Sequence, residues 1–246
     1  MHKQIPNIIT LVNLFCGCCA LGNIFSGNFL EAFLFIFIGG LADYSDGMVA
    51  RWLNVKSPFG KELDSIADMV TFGVVPGAIL YMLLIYSQTD TVTAFPTLQR
   101  LGFSLAASPA FILSIFSAIR LAKFNLDTRQ SENFVGLNTP ACTVFVVGLM
   151  LIYHFDSFGL RDWTLNPFLL YGTIALLSFL LVAELPMMSF KFKHFRWNGN
   201  KRKFVFLIFS IACLALLREV AFSIIIVVYV LFSLVDYLIN PKSIID

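Results

Sequence analysis

Charge is scarce in this chain: only 13% of its 246 residues are Asp, Glu, Lys or Arg, against 58% hydrophobic, and mean hydropathy is +0.82. A soluble domain of this length needs far more polar surface, so that class is excluded. There is no polar, Pro-rich or Gly-rich linker, which predicts one domain over 1–246. Histidine is nearly missing, and His2, His154 and His194 sit near ends or loops, forming neither a triad nor a metal set. The five cysteines (Cys16, Cys18, Cys19, Cys142, Cys213) all lie in apolar runs without zinc spacing, so they read as small packed or lipid-facing residues. The net charge of +2 says little alone, because placement of basic residues is what matters in a membrane, and no nucleic-acid partner is expected. His2 and Lys3 precede a long apolar run without a small-x-small cleavage site, which reads as a retained first span rather than a signal peptide.

What the chain has is long apolar runs. A helix needs about 20 residues to cross a hydrocarbon core. Spans are predicted near 7–26, 31–53, 64–86, 102–124, 139–156, 167–187, 204–217 and 220–239. The fold class is therefore all-α, a polytopic bundle of about eight transmembrane helices. Its core is 5–193, followed at 204–239 by two apolar runs around Arg218 and Glu219, which fit a helical hairpin better than one kinked segment. With both termini cytoplasmic, every Lys and Arg except Arg100, Arg161 and Arg218 falls on the cytoplasmic side, a strong positive-inside bias. That pattern suits a bacterial or archaeal-type inner membrane. Trp52, Trp163 and Trp197 lie at or just beyond span ends, where an indole buries its ring and wets its N–H. The basic stretch from Lys191 to Lys203 reads as an ordinary positive loop facing anionic lipid, with a head-group site as the sharper alternative.

Spans two and three contain what an apolar bundle should not. Asp43, Asp46, Asp64 and Asp68 would each cost roughly 3 kcal/mol at a span centre, about 12 kcal/mol together, comparable to the stability of a whole domain. Position near the interface, water or cations must compensate. Asp43, Asp46 and Ala50 stand at i, i+3 and i+7, with Gly47 beside them; Gly60, Asp64 and Asp68 stand at i, i+4 and i+8. Each set shares a helix face, and Pro58 in the turn suits a reversal that opposes them. Four hard carboxylates from two helices make a site for Mg²⁺ or Mn²⁺, with two ions expected. Gly47, Gly60 and Ala50 remove bulk where a nucleotide or diphosphate must approach, and Arg51 offers a fixed charge for a phosphate oxygen.

These residues spell D-x2-D-G-x2-A-R-x8-G-x3-D-x3-D, and the segment resembles, position for position, the signature of the CDP-alcohol phosphotransferase family. The resemblance implies a Mg²⁺- or Mn²⁺-dependent enzyme with a cavity open to the cytoplasm. It implies Asp43, Asp46 and Asp64 as metal ligands, Asp68 as shared ligand and general base, and Gly47, Ala50, Arg51 and Gly60 against the CDP moiety.

Outside the signature the chain resembles the membrane-embedded phosphatidylserine synthases of that family. The matching stretches are Ile5-Pro6-Asn7-Ile8-Ile9-Thr10 with Asn13 to Gly17, Asp64 through Pro76, Arg120-Leu-Ala-Lys123-Phe-Asn125, Phe134 through Ala141, and Ser189-Phe-Lys191. Asn138 stands where those enzymes usually carry proline. The implied substrates are CDP-diacylglycerol and L-serine among membrane lipids, and relatives are commonly homodimers. A serine site needs a cation and acceptors near the metals. Arg120, Lys123 and Asn125 suit the carboxylate or a phosphate, with helix-end snorkelling as the plain alternative for the two cations. Asn7 and Thr10 either line the nucleotide pocket or cap the first helix. Gly73 and Gly77 form a small-xxx-small pair that seats a neighbouring helix or a second subunit. Two other activities compete: transfer to glycerol 3-phosphate or an inositol phosphate, and ion transport along the aspartates without CMP chemistry.

Overall fold

A computed structural model describes residues 4–55, 57–88, 104–126, 134–187 and 201–239. Lys56, Arg100, His2, His194, Trp197, Ser189-Phe-Lys191 and the basic stretch up to residue 200 lie outside the described residues.

Eight apolar helices make up the described bundle. They are α1 (Ile5–Phe25), α2 (Phe29–Trp52), α3 (Pro58–Gln88), α4 (Ser108–Leu126), α5 (Thr139–Phe155), α6 (Pro167–Val182), α7 (Lys201–Leu217) and α8 (Val220–Ile239). The first four are long and apolar enough to cross a membrane; the others are shorter apolar helices. The only strand pairing described is two residues long, β1 (Phe134–Val135) against β2 (Pro186–Met187), antiparallel. The fold is the helical membrane bundle that the apolar runs foretell.

Helix ends follow local chemistry. Gly27, at φ +78, turns α1 into α2. Asn54 at φ 53 makes the reversal after α2, a conformation asparagine tolerates. Pro58 is thus not the reversal itself but the first turn of α3, behind Ser57, whose Oγ accepts the Gly60 N–H at 3.2 Å. That cap starts α3 six residues before the expected 64. Asn138 caps α5 by accepting the Ala141 N–H at 2.8 Å. The expected span 167–187 ends at Val182 instead, because Ala183 is extended and Pro186 joins β2. Arg218, at φ 52, separates α7 from α8, giving the hairpin.

α3 is the axis. Its apolar window is 83% buried, against 33% for α1 and 28% for each of α2 and α4. Every residue from Val75 to Tyr86 is buried. Between this apolar half and the aspartate half, Met69–Val74 winds as a π-helix. Neighbours grip this segment: Thr143 donates to the Phe72 carbonyl at 3.2 Å and Ser114 to the Gly73 carbonyl at 2.8 Å. A Cβ added at Gly73 would lie 3.2 Å from Ser117 Cβ, and one at Gly77 would collide with Ser114 Oγ. The small-xxx-small pair therefore seats α4 of the same chain, and a second copy would have to dock elsewhere.

Candidate metal and phosphotransfer site

α2 and α3 bring Asp43, Asp64 and Asp68 together, each offering an oxygen within 4.8 Å of the others. Two unit charges at that separation repel by roughly 3 kcal/mol even at an effective dielectric of about 20. Three ionised carboxylates there call for cations. Asp64 Oδ1 is buried without a hydrogen-bond partner among the described residues, an acceptor left open within the set. An all-oxygen donor set fits a hard divalent cation, Mg²⁺ or Mn²⁺, and no thiolate or imidazole joins it among the described residues.

Asp46 does not belong to this close trio. It is 6% exposed, and its Oδ2 accepts the Thr10 hydroxyl at 2.5 Å. Of the four carboxylates expected to converge, three form the close group, and the fourth stands beside them with a hydrogen bond from α1. Thr10 is buried in the second turn of α1, donating to Asp46 and sharing the Pro6 carbonyl at 3.1 Å. It caps no helix.

The remaining signature residues surround the carboxylates. Gly47 and Ala50 are partly buried on α2, and exposed Arg51 reaches back so that a Cβ at Gly47 would lie 3.5 Å from its Nη1. Gly60 is small for a visible reason: a Cβ there would stand 3.0 Å from Asn7 Oδ1. Asn7 donates to Gln4 Oε1 at 3.0 Å, so it too is not a helix cap.

The three residues expected to read the acceptor separate. Arg120 is buried, its Nε donating to the Leu137 carbonyl at 2.9 Å and its guanidinium lying over the Phe124 ring at 5.3 Å. It does not snorkel. Lys123 is exposed at the end of α4. Asn125 ties α4 to α3: its Nδ2 donates to Ser65 Oγ at 2.7 Å and its carbonyl accepts from Lys61 Nζ at 2.9 Å.

Asn13 was missed as a site residue. It is fully buried in α1, and its Nδ2 donates to Asp68 Oδ1 at 3.3 Å. An amide inside an apolar span, one turn beyond Thr10, was the available signal.

A family model described as CDP-alcohol phosphatidyltransferase matches residues 3–178. A CDP-diacylglycerol–serine O-phosphatidyltransferase of Bacillus subtilis is 35% identical over 203 residues, covering 80% of this chain and 99% of that protein. One from Helicobacter pylori J99 is 35% identical over 198 residues, covering 78% and 74%. One from Methanocaldococcus jannaschii is 26% identical over 236 residues, covering 95% and 94%. This chain belongs to the CDP-alcohol phosphatidyltransferase family.

Proposed function

We propose that this chain transfers the phosphatidyl group of CDP-diacylglycerol to the hydroxyl of L-serine, giving phosphatidylserine and CMP. The observation that carries the chemistry is the trio Asp43, Asp64 and Asp68 gathered within 4.8 Å from two helices that bear the whole signature. Serine as acceptor is supported by the relatives' names and by their coverage well beyond the signature.

In this reading Asp43, Asp64 and Asp68, with Asp46 beside them, hold two ions of Mg²⁺ or Mn²⁺. When bound, these ions supply charge neutralisation of the diphosphate and stabilise CMP as leaving group. Asp68 accepts the proton of the serine hydroxyl. The serine oxygen bonds to the lipid-side phosphorus, the bond from that phosphorus to the CMP oxygen breaks, and the proton leaves Asp68 for solvent. Gly47, Ala50 and Gly60 leave room for the nucleotide, and Arg51 faces a phosphate oxygen. Asn7 lines the same end of α1. Arg120 shapes the acceptor side by holding Leu137, with Lys123 and Asn125 at the mouth. The catalytic unit is a single domain with both ends and the site mouth on the cytoplasmic side, as the distribution of Lys and Arg favours.

The test is CMP release from CDP-diacylglycerol by detergent-purified protein with Mn²⁺ or Mg²⁺, with and without L-serine. Serine-dependent release that Asp68→Asn abolishes supports the reading; substantial turnover in that variant removes the base role. Release that responds only to glycerol 3-phosphate or an inositol phosphate moves the chain to a sister activity.

A further inference from the structure

We propose that Asn13 is the positioning residue of the aspartate site, holding Asp68 in place beside Asp43 and Asp64 so that ion binding and turnover both depend on it. The inference rests on the metal site proposed above and adds to it a residue outside the signature. Asn13 lies in the middle of α1 and has no exposed surface. A buried amide in an apolar span is retained only where it has polar work to do.

That work is directed at Asp68. A carboxylate oxygen accepts and does not donate, so the amide must present its N–H there, and Nδ2 stands 3.3 Å from Asp68 Oδ1. The opposite end of the amide is left with nothing: Asn13 Oδ1 is buried without a hydrogen-bond partner. An orphaned carbonyl is unfavourable, and a leucine of similar size would avoid it. The chain keeps the amide, which points to the N–H contact with Asp68 as the reason.

Two further contacts fix the amide. Gly39 of α2 faces it so closely that an added Cβ would stand 3.2 Å from Asn13 Oδ1 and 3.3 Å from both Cys16 Cβ and Thr71 Cγ2. Thr71, three residues after Asp68, donates its hydroxyl to the Asn13 backbone carbonyl at 3.2 Å. α1 therefore grips α3 at two points flanking the start of the π-helical segment, and one of them is the carboxylate itself. Asn13 thus fixes one oxygen of Asp68 where that carboxylate meets Asp43 and Asp64. Partners that orient a metal-binding group in this way typically change metal affinity or activity by about 10- to 100-fold when removed.

The test compares wild type with Asn13→Leu, which removes the N–H at similar volume, and Gly39→Ala, which displaces the same amide without altering a polar group. Mn²⁺ binding to purified protein is titrated by electron paramagnetic resonance, alongside kcat, KM for CDP-diacylglycerol and the unfolding midpoint. The expected result is half-saturation by Mn²⁺ raised about tenfold, with a comparable fall in kcat and KM within about twofold. Wild-type Mn²⁺ binding and kcat in a folded Asn13→Leu protein overturn the proposal. So does a loss confined to the unfolding midpoint, which makes Asn13 a packing residue. Should Asn13→Leu not fold, Gly39→Ala gives the same readings. If wild type releases no CMP with serine, the proposed acceptor has failed, and the Mn²⁺ titration still decides the role of Asn13.

Discussion

The Thr10 hydroxyl of α1 donates to Asp46 Oδ2 of α2 at 2.5 Å, joining two residues 36 positions apart inside the apolar bundle. A hydrogen bond to a charged group contributes about 1.5–3 kcal/mol, and here it also sets the direction of a signature carboxylate. Thr10→Val keeps the shape and removes the donor, so turnover falls roughly tenfold, while Thr10→Ser retains most of it. CMP release at saturating CDP-diacylglycerol checks both.

If the proposed site is right, removing divalent ions with a chelator abolishes CMP release, because the three carboxylates within 4.8 Å are the donors offered to a cation. Mg²⁺ or Mn²⁺ restores it. Cu²⁺ does not restore it to a similar rate, since the all-oxygen donor set gathered there favours hard ions. Dialysis followed by add-back of each metal makes the comparison.

Gly148 of α5 packs directly against α8. A Cβ there would collide with Ser223 Oγ, lie 2.8 Å from the Ser223 backbone nitrogen and 3.1 Å from Phe222 Cβ. Backbone cannot swing aside as a side chain does, so Gly148→Ala costs about 1–3 kcal/mol and lowers the unfolding midpoint. Gly22→Ala, with nothing within 4 Å of the new methyl, is the control and leaves the midpoint unchanged or raised. Thermal unfolding in one detergent compares the two.

The turn between α7 and α8 carries a pH-sensitive tie. Burial pushes the Glu219 carboxyl up, but the Ser157 hydroxyl at 2.6 Å, a backbone amide and nearby Arg218 outweigh it and hold its pKa below the ordinary value. A depressed folded-state pKa contributes stability that is fully present above the unfolded-state value and is lost as pH falls through the folded one. Wild type therefore loses stability on acidification below the usual glutamate range. Ser157→Ala shows a smaller loss over the same interval. Unfolding midpoints between neutral and acidic pH measure the difference.

Much of this architecture is legible in the residues. Apolar runs separated by turns that carry Gly, Pro or charge mark the eight helices, because lipid leaves the backbone few alternatives. Helical spacing puts Asp43 on one face and Asp64 with Asp68 on another, and those faces do meet. Spacing along one helix says nothing about its neighbour, however. That Thr10 of α1 would donate to Asp46, and Asn13 to Asp68, depends on how three helices approach. Arg120 reads as a helix-end cation, yet the chain returning at Leu137 buries it. Asn125 reads as a binding residue, yet it is engaged by Ser65 and Lys61. Polar residues declare in the sequence that they need partners; which partners they find is decided by packing.

The π-helical stretch Met69–Val74 has a consequence for how this protein can change. A π turn takes in more residues than an α turn, so the two halves of α3 keep different angular phases, one carrying Asp64 and Asp68, the other presenting Gly77 to α4. The segment works as a phase joint. Shortening the joint by one residue would turn everything beyond it by about 100°, and no single side-chain change within α3 could undo that rotation.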